Sequence, residues 1–120
     1  MPSFSRRSFD RLMTCDPTLR EVLNEAITIY DFSVLCGQRG EEEQNRAYAD
    51  GKSQLRWPNS RHNLDPSRAV DIAPYPIDWE DLSRFYYMAT VVLAVAARKR
   101  IPVVWGGHWQ MKDHPHFEVV

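Results

Sequence analysis

Apolar residues recur at steps of three and four from Leu19 through Val22, Leu23, Ala26 and Ile27 to Tyr30, the spacing of one helix face. Asp16-Pro17 stands just ahead of that stripe and supplies a capping acid with proline at the first helical position. Phe32–Cys36 is an apolar run of strand length that stops at Gly37. Glu41–Ala49 reads as a short helix with acids at its positive end, and Gly51 is placed to end it. Residues 52–65 lack any period and carry Gly, Ser, Pro and Asn, which predicts a long surface loop. Arg68–Ala73 follows as a buried strand ending at Pro74, and Pro74-Tyr75-Pro76 forces an extended connector. Asp78 is then the expected cap of the longest helix, over residues 79–99, with a stripe of Leu82, Phe85, Tyr86, Ala89, Val92, Leu93 and Ala96. Ile101–Trp105 reads as a second buried strand broken by Gly106-Gly107, and His116–Val120 as the last strand. Residues 1–8 are expected to form a loose arm, with Phe4 and Phe9 available to pack against the body. The pattern predicts an α+β fold: one compact domain over 1–120, a small, mainly antiparallel sheet packed against helices.

Composition narrows the function classes. With 120 residues, 43% hydrophobic and 26% charged, the chain has the balance of an ordinary globular domain. A formal charge of −1 leaves no basic excess for neutralising phosphates, so nucleic acid is not an expected partner. Cys15 and Cys36 do not make a disulfide framework, and the expected site of synthesis is a reducing cytoplasm. The N-terminus has no apolar stretch of signal-peptide length, and the apolar-rich 86–97 stretch is too short to span a bilayer. No membrane insertion is expected, and a substrate outside the membrane would need another agent to deliver the protein.

Candidate chemistry begins with Asp71, a carboxylate inside the run Val70, Ile72 and Ala73. Burial there is costly unless the group is paired, hydrogen-bonded or metal-bound. Two readings stand side by side: Asp71 caps a turn or pairs with Arg61 or Arg68, or His62 and Asp71 are two ligands of one metal. A third ligand is available in His116, because strand alternation puts His116 and Glu118 on one face and Phe117 and Val119 on the other. His114, before a proline, and His108, in a glycine loop, are the weaker histidines. Two imidazoles and one carboxylate suit Zn2+ and leave one position open, the pattern of a catalytic site. Zinc makes water a nucleophile near neutral pH. Asp113 fits the role of general base, or else caps its turn. Arg39, in the glycine-flanked turn 37–40, fits a cation that steadies an oxyanion, or else is a solvated arginine.

These residues carry a family resemblance. Gly37-Gln38-Arg39-Gly40 with Gln44, Gly51-Lys52-Ser53, Ser60-Arg61-His62, Ala69-Val70-Asp71, Trp105-Gly106-Gly107 with Trp109, and Asp113 with Pro115-His116-Phe117-Glu118 occur in that order. The chain resembles the zinc peptidases of the D-alanyl-D-alanine carboxypeptidase and dipeptidase family, especially short phage endolysins that are L-alanyl-D-glutamate peptidases. The resemblance implies zinc ligands His62, Asp71 and His116 on the sheet face, Asp113 as base, Arg39 as a substrate or oxyanion group, and Ser60 as a supporting or substrate-contacting residue. Gln44, Trp105 and Trp109 are expected along the substrate groove. Asp65-Pro66-Ser67 lengthens the gap between the first histidine and the aspartate, an insertion that a turn can absorb.

The implied function is a zinc-dependent endolysin that cuts the peptidoglycan stem peptide at L-Ala–D-Glu. It would act as a monomer, made in the host cytoplasm, released to the wall by a holin, and lacking a separate wall-binding domain. The same chemistry on a D-Ala–D-Ala terminus is the first alternative. A non-catalytic module stapled by zinc is the second, and a metal-free binding protein the third.

Overall fold

Alternation along two central strands decides where everything else goes. In the computed structural model, which describes residues 2–120, β2 (Ala69–Pro74) pairs antiparallel with both β1 (Phe32–Cys36) and β4 (His116–Val119). The edge strand β3 (Val103–Trp105) completes an antiparallel sheet of order β1-β2-β4-β3. Val34, Val70, Ile72, Phe117 and Val119 join the buried core. Asp71 and His116 instead sit opposite one another in register, on neighbouring strands.

The core is covered by α2 (Pro17–Ala26) and α4 (Leu82–Lys99), with α1 (Arg6–Leu12) against β1. Asp16 caps α2 by accepting from the Thr18 amide, with Pro17 at the first turn, as its residues predict. The helix stops at Ala26, sooner than the stripe suggested, and Tyr30 packs on Tyr87 instead. The short helix α3 (Glu41–Ala49) ends before Gly51, whose φ of 74° closes the turn as glycine allows.

Three expectations need correction. The N-terminal arm is not loose through residue 8: helix α1 begins at Arg6, Ser8 is buried, and its hydroxyl accepts from the Val34 amide. Phe4 packs edge-on against Phe32. The long helix begins at Leu82 rather than residue 79, because Asp78 accepts from the Glu80 amide and closes a turn of its own. The buried face of α4 is therefore Phe85, Met88, Ala89, Val92, Val95 and Ala96, while Leu82 and Tyr86 face outward. Finally, the 101–105 run is a half-buried edge and not a second buried strand: Ile101 and Val103 pack against the core, Pro102 and Val104 are exposed, and only Trp105 is buried. No helix among the described residues is long and apolar enough to cross a membrane.

Candidate metal centre and active site

Three elements bring the candidate ligands together. Asp71 on β2 and His116 on β4 meet because they are cross-strand partners, where side chains on one face lie close enough to touch. His62 arrives from a one-turn 3-10 helix, Arg61–Asn63, inside the long loop. Ser60 and Asn63 form a reciprocal capping box at that turn, and the Arg39 amide donates to His62 O at 2.7 Å. The inserted residues before β2 are tied down by a bridge from Ser67 to Cys15, so the longer gap does not separate the ligands.

His62 Nε2 and His116 Nδ1 each lie 3.3 Å from Asp71 Oδ1. Ligands held at 2.0–2.1 Å around a tetrahedral zinc are spaced about 3.3 Å apart. The far nitrogen of each ring is already engaged: His62 Nδ1 lies 2.8 Å from Gly37 O, and His116 Nε2 2.8 Å from Glu118 Oε1. An acceptor on the far side keeps a proton there, so that the facing nitrogen is the one to offer its lone pair once the ring is neutral. His62 Nε2 and Asp71 Oδ1 are buried without a hydrogen-bond partner. Buried polar atoms are rarely orphaned, and those that are call for an explanation such as an ion. Two sets of donors that share Asp71 lie close enough to hold an ion, Cys36 with His62 and Asp71, and Asp113 with Asp71 and His116; nitrogen and oxygen donors of this kind suit zinc.

The electrostatics of the metal-free chain follow from this cluster. Burial opposes charge on His62, yet Asp71 and Cys36 outweigh it and lift the imidazole to about 10. His116 is raised too, since Asp71 and Glu118 overcome the same burial. Asp71 loses solvation as well, but the two histidines hold it well below the usual carboxylate range. Asp113 goes the other way: burial first, and then the charge of Asp71, push its carboxyl up.

Asp113 Oδ2 stands 3.8 Å from His116 Nδ1, and its side chain is 46% exposed. That exposure lets water reach the carboxylate at the rim of the site, where it could serve as a base, while its grouping with Asp71 and His116 also leaves it within reach of an ion. Its turn is held by the Asp113 amide on Gly106 O and by His116 N on Asp113 O. A Cβ at Gly106 would collide with that same Asp113 oxygen, so the glycine is what lets the two loops close up.

Arg39 reaches the site as expected: Nη2 is 3.5 Å from Asp71 Oδ2, and Nη1 donates to Gln44 Oε1 at 3.0 Å. Asp71 therefore pairs with Arg39 and the two histidines. Arg61 and Arg68, its candidate partners from sequence, instead pair with Glu118 and Asp16. Of the expected groove residues, Trp109 is 38% exposed with its ring 5.0 Å from His116, in position to meet a substrate. Gln44 and Trp105 are not, being 0% and 2% exposed. Gln44 is a buried hub between Arg39, Asn63, Ser53 and Leu55, and the Trp105 indole donates to His114 O. Ser60 accepts from the His62 amide and so supports the ligand turn. His114 lies among Phe85, Tyr86 and Trp105, and His108 against Trp105, away from Asp71.

Cys36 was missed by sequence reasoning. A register shift between Val34 and Cys36 marks a β-bulge, which sets Cys36 opposite Asp71 with Sγ 3.9 Å from His62 Nδ1. Nothing in a five-residue apolar run announces such a bulge.

The chain matches the family described as phage L-alanyl-D-glutamate peptidase over residues 2–120. It is 28% identical over 121 residues to the L-alanyl-D-glutamate peptidase of Escherichia phage T5, covering 97% of this chain and 88% of that protein. The crystal structure of the Serratia marcescens L-Ala D-Glu endopeptidase ChiX superposes with a TM-score of 0.84 at 32% identity, over 98% of this chain and 89% of that one. The chain belongs to the phage L-alanyl-D-glutamate peptidase family.

Proposed function

We propose that the protein is a zinc-dependent peptidoglycan peptidase that hydrolyses the L-Ala–D-Glu bond of the stem peptide. The observation that carries the reading is the pair of orphaned buried atoms, His62 Nε2 and Asp71 Oδ1, with His116 Nδ1 at ligand spacing. Family membership and the activities of the two relatives support the bond assignment.

His62, Asp71 and His116 would hold the metal, whose chemistry when bound is Lewis acidity and activation of water near neutral pH. Asp113 accepts the proton of the attacking water and returns it to the leaving amine, a task eased by its raised pKa. Arg39 balances Asp71 and presents positive charge where the carbonyl oxygen becomes anionic. Trp109 supplies an exposed aromatic wall beside His116 for the substrate. Asp113 and Arg39 favour catalysis over a purely structural zinc, since a staple needs neither. The protein acts as a monomer, and a holin releases it from the host cytoplasm.

Digestion of purified walls followed by mass spectrometry of the fragments tests the bond. Cleavage at L-Ala–D-Glu yields peptides with a new D-Glu amino terminus. Free D-alanine as the sole product would replace this reading with the carboxypeptidase alternative.

A further inference from the structure

Arg61 and Glu118 form a connection that the reaction chemistry does not use. Glu118 lies two residues beyond His116 on β4, so the pleat turns both side chains to the same face. Its Oε1 is 2.8 Å from His116 Nε2, and its other oxygen, Oε2, is 2.9 Å from Arg61 Nε. Arg61 also donates through Nη1 to Val119 O at 3.3 Å, and its own carbonyl accepts from the Arg68 amide. Arg61 immediately precedes His62 in the 3-10 turn. The ion pair thus joins the loop that bears one proposed ligand to the strand that bears another, and orients the second ring as it does so.

We propose that Glu118, held by Arg61, is a positioning residue that fixes the His116 ring with Nδ1 toward the metal and couples the His62 turn to β4. The inference rests on the metal reading above. Two restraints act at once. The carboxylate accepts from Nε2–H and so selects the tautomer that bares Nδ1. The guanidinium occupies the second carboxylate oxygen, which stops the Glu118 side chain from rotating away from the ring. Without Arg61 the carboxylate keeps its contact with His116 but loses its anchor. Without Glu118 the ring loses both, and the loop bearing His62 is left with the Arg61 Nη1 bond to Val119 O as its side-chain tie to the strand.

The test uses the full chain as wild type, Glu118→Ala, Glu118→Gln, Arg61→Ala and the Glu118→Ala/Arg61→Ala double variant. Zinc affinity is measured by competition with a chromophoric chelator. The His116 tautomer is read from long-range 1H–15N correlations of the metal-free protein, above the titration of the ring. Glu118→Ala is expected to bind zinc roughly 10–100-fold more weakly, the usual scale for losing a partner of a ligating histidine. It should also show a mixture of tautomers where the wild type shows Nε2–H. Glu118→Gln, which keeps an acceptor oxygen, should retain the tautomer and lose less affinity. Arg61→Ala should weaken binding less than Glu118→Ala, and the double variant no more than Glu118→Ala, because both act through one contact.

A merely structural ion pair would lower the melting temperature of these variants while leaving the tautomer alone, and that result overturns the proposal. So does wild-type zinc affinity in Glu118→Ala. If Glu118→Ala does not fold, Arg61→Ala decides: wild-type affinity together with a wild-type ring signature refutes the coupling. A wild-type chain that takes up no zinc refutes the metal reading instead, and the metal-free tautomer still decides whether Glu118 orients the ring.

Discussion

Replacing Gln44 by leucine isolates the scaffold under Arg39. The two side chains are similar in size, so the change removes polarity while leaving little void. In the native chain Gln44 is wholly buried and accepts from Arg39 Nη1 at 3.0 Å and Asn63 Nδ2 at 3.1 Å. It donates to Ser53 Oγ at 2.9 Å and Leu55 O at 2.7 Å. Each such bond is worth about 0.5–1.5 kcal/mol net, and groups left unsatisfied cost more than the mean, so the loss is about 4 kcal/mol. Asn63 Nδ2 keeps Arg39 O, and Leu55 O keeps the Ser53 hydroxyl, which caps the damage near that value. A domain of this size has roughly 5–15 kcal/mol in hand, so the variant should fold with a melting temperature lower by about 12–20 °C. Its turnover should fall as well, since Arg39 and the capping box beside His62 both lose a partner. Thermal denaturation by circular dichroism and wall hydrolysis well below the transition read the two effects separately. Glu43→Ala, on the exposed side of α3, is the control and should stay within about 0.5 kcal/mol. A Gln44→Leu protein within about 1 kcal/mol of wild type would refute the hub argument.

Asp113→Asn should fold and keep its zinc while wall hydrolysis drops roughly 10²–10⁴-fold; near-normal turnover would remove Asp113 from the mechanism, and loss of zinc would make it a ligand. Metal uptake should expel protons, because His62 is held at about 10 and His116 is also raised in the metal-free chain, while ligation needs neutral rings. Calorimetry in buffers of different ionisation enthalpy should find net proton release at neutral pH, with affinity falling as the solution is acidified; no release would mean the rings are already neutral. Asp16→Ala should cost about 1 kcal/mol at neutral pH by removing the cap of α2. The Thr18 contacts lower the Asp16 pKa, so its contribution is present above the ordinary carboxylate value and lost as pH falls through the folded one. The gap between wild type and Asp16→Ala, measured by urea denaturation, should therefore close in acid; a gap independent of pH would contradict the cap.

Legibility from sequence followed periodicity. The bounds of β1 and α3 and the face shared by His116 and Glu118 were readable because they depend on local spacing alone. Asp71 and His62 were readable as a pair for a different reason: a carboxylate in an apolar run and a histidine in a polar loop both violate local preference. What could not be read depends on the third dimension. The roles of Gln44 and Trp105 were inverted because polarity and aromaticity suggest a groove, whereas burial is decided by what packs on top of them. Asp78 looked like a helix cap because it stands before an amphipathic stretch, and the turn it closes with Glu80 is an equally local use of the same side chain. The Arg61–Glu118 pair spans residues far apart in the chain, and no spacing rule marks it.

The central claim is that His62, Asp71 and His116 hold a zinc ion without which the peptide bond is not cut. The most direct measurement combines elemental analysis with wall hydrolysis on one preparation. The account predicts about one zinc per chain, complete loss of hydrolysis when a chelator strips it, recovery on adding zinc back, and neither zinc nor activity in His62→Ala and His116→Ala. Full hydrolysis by a sample shown to be zinc-free would contradict it.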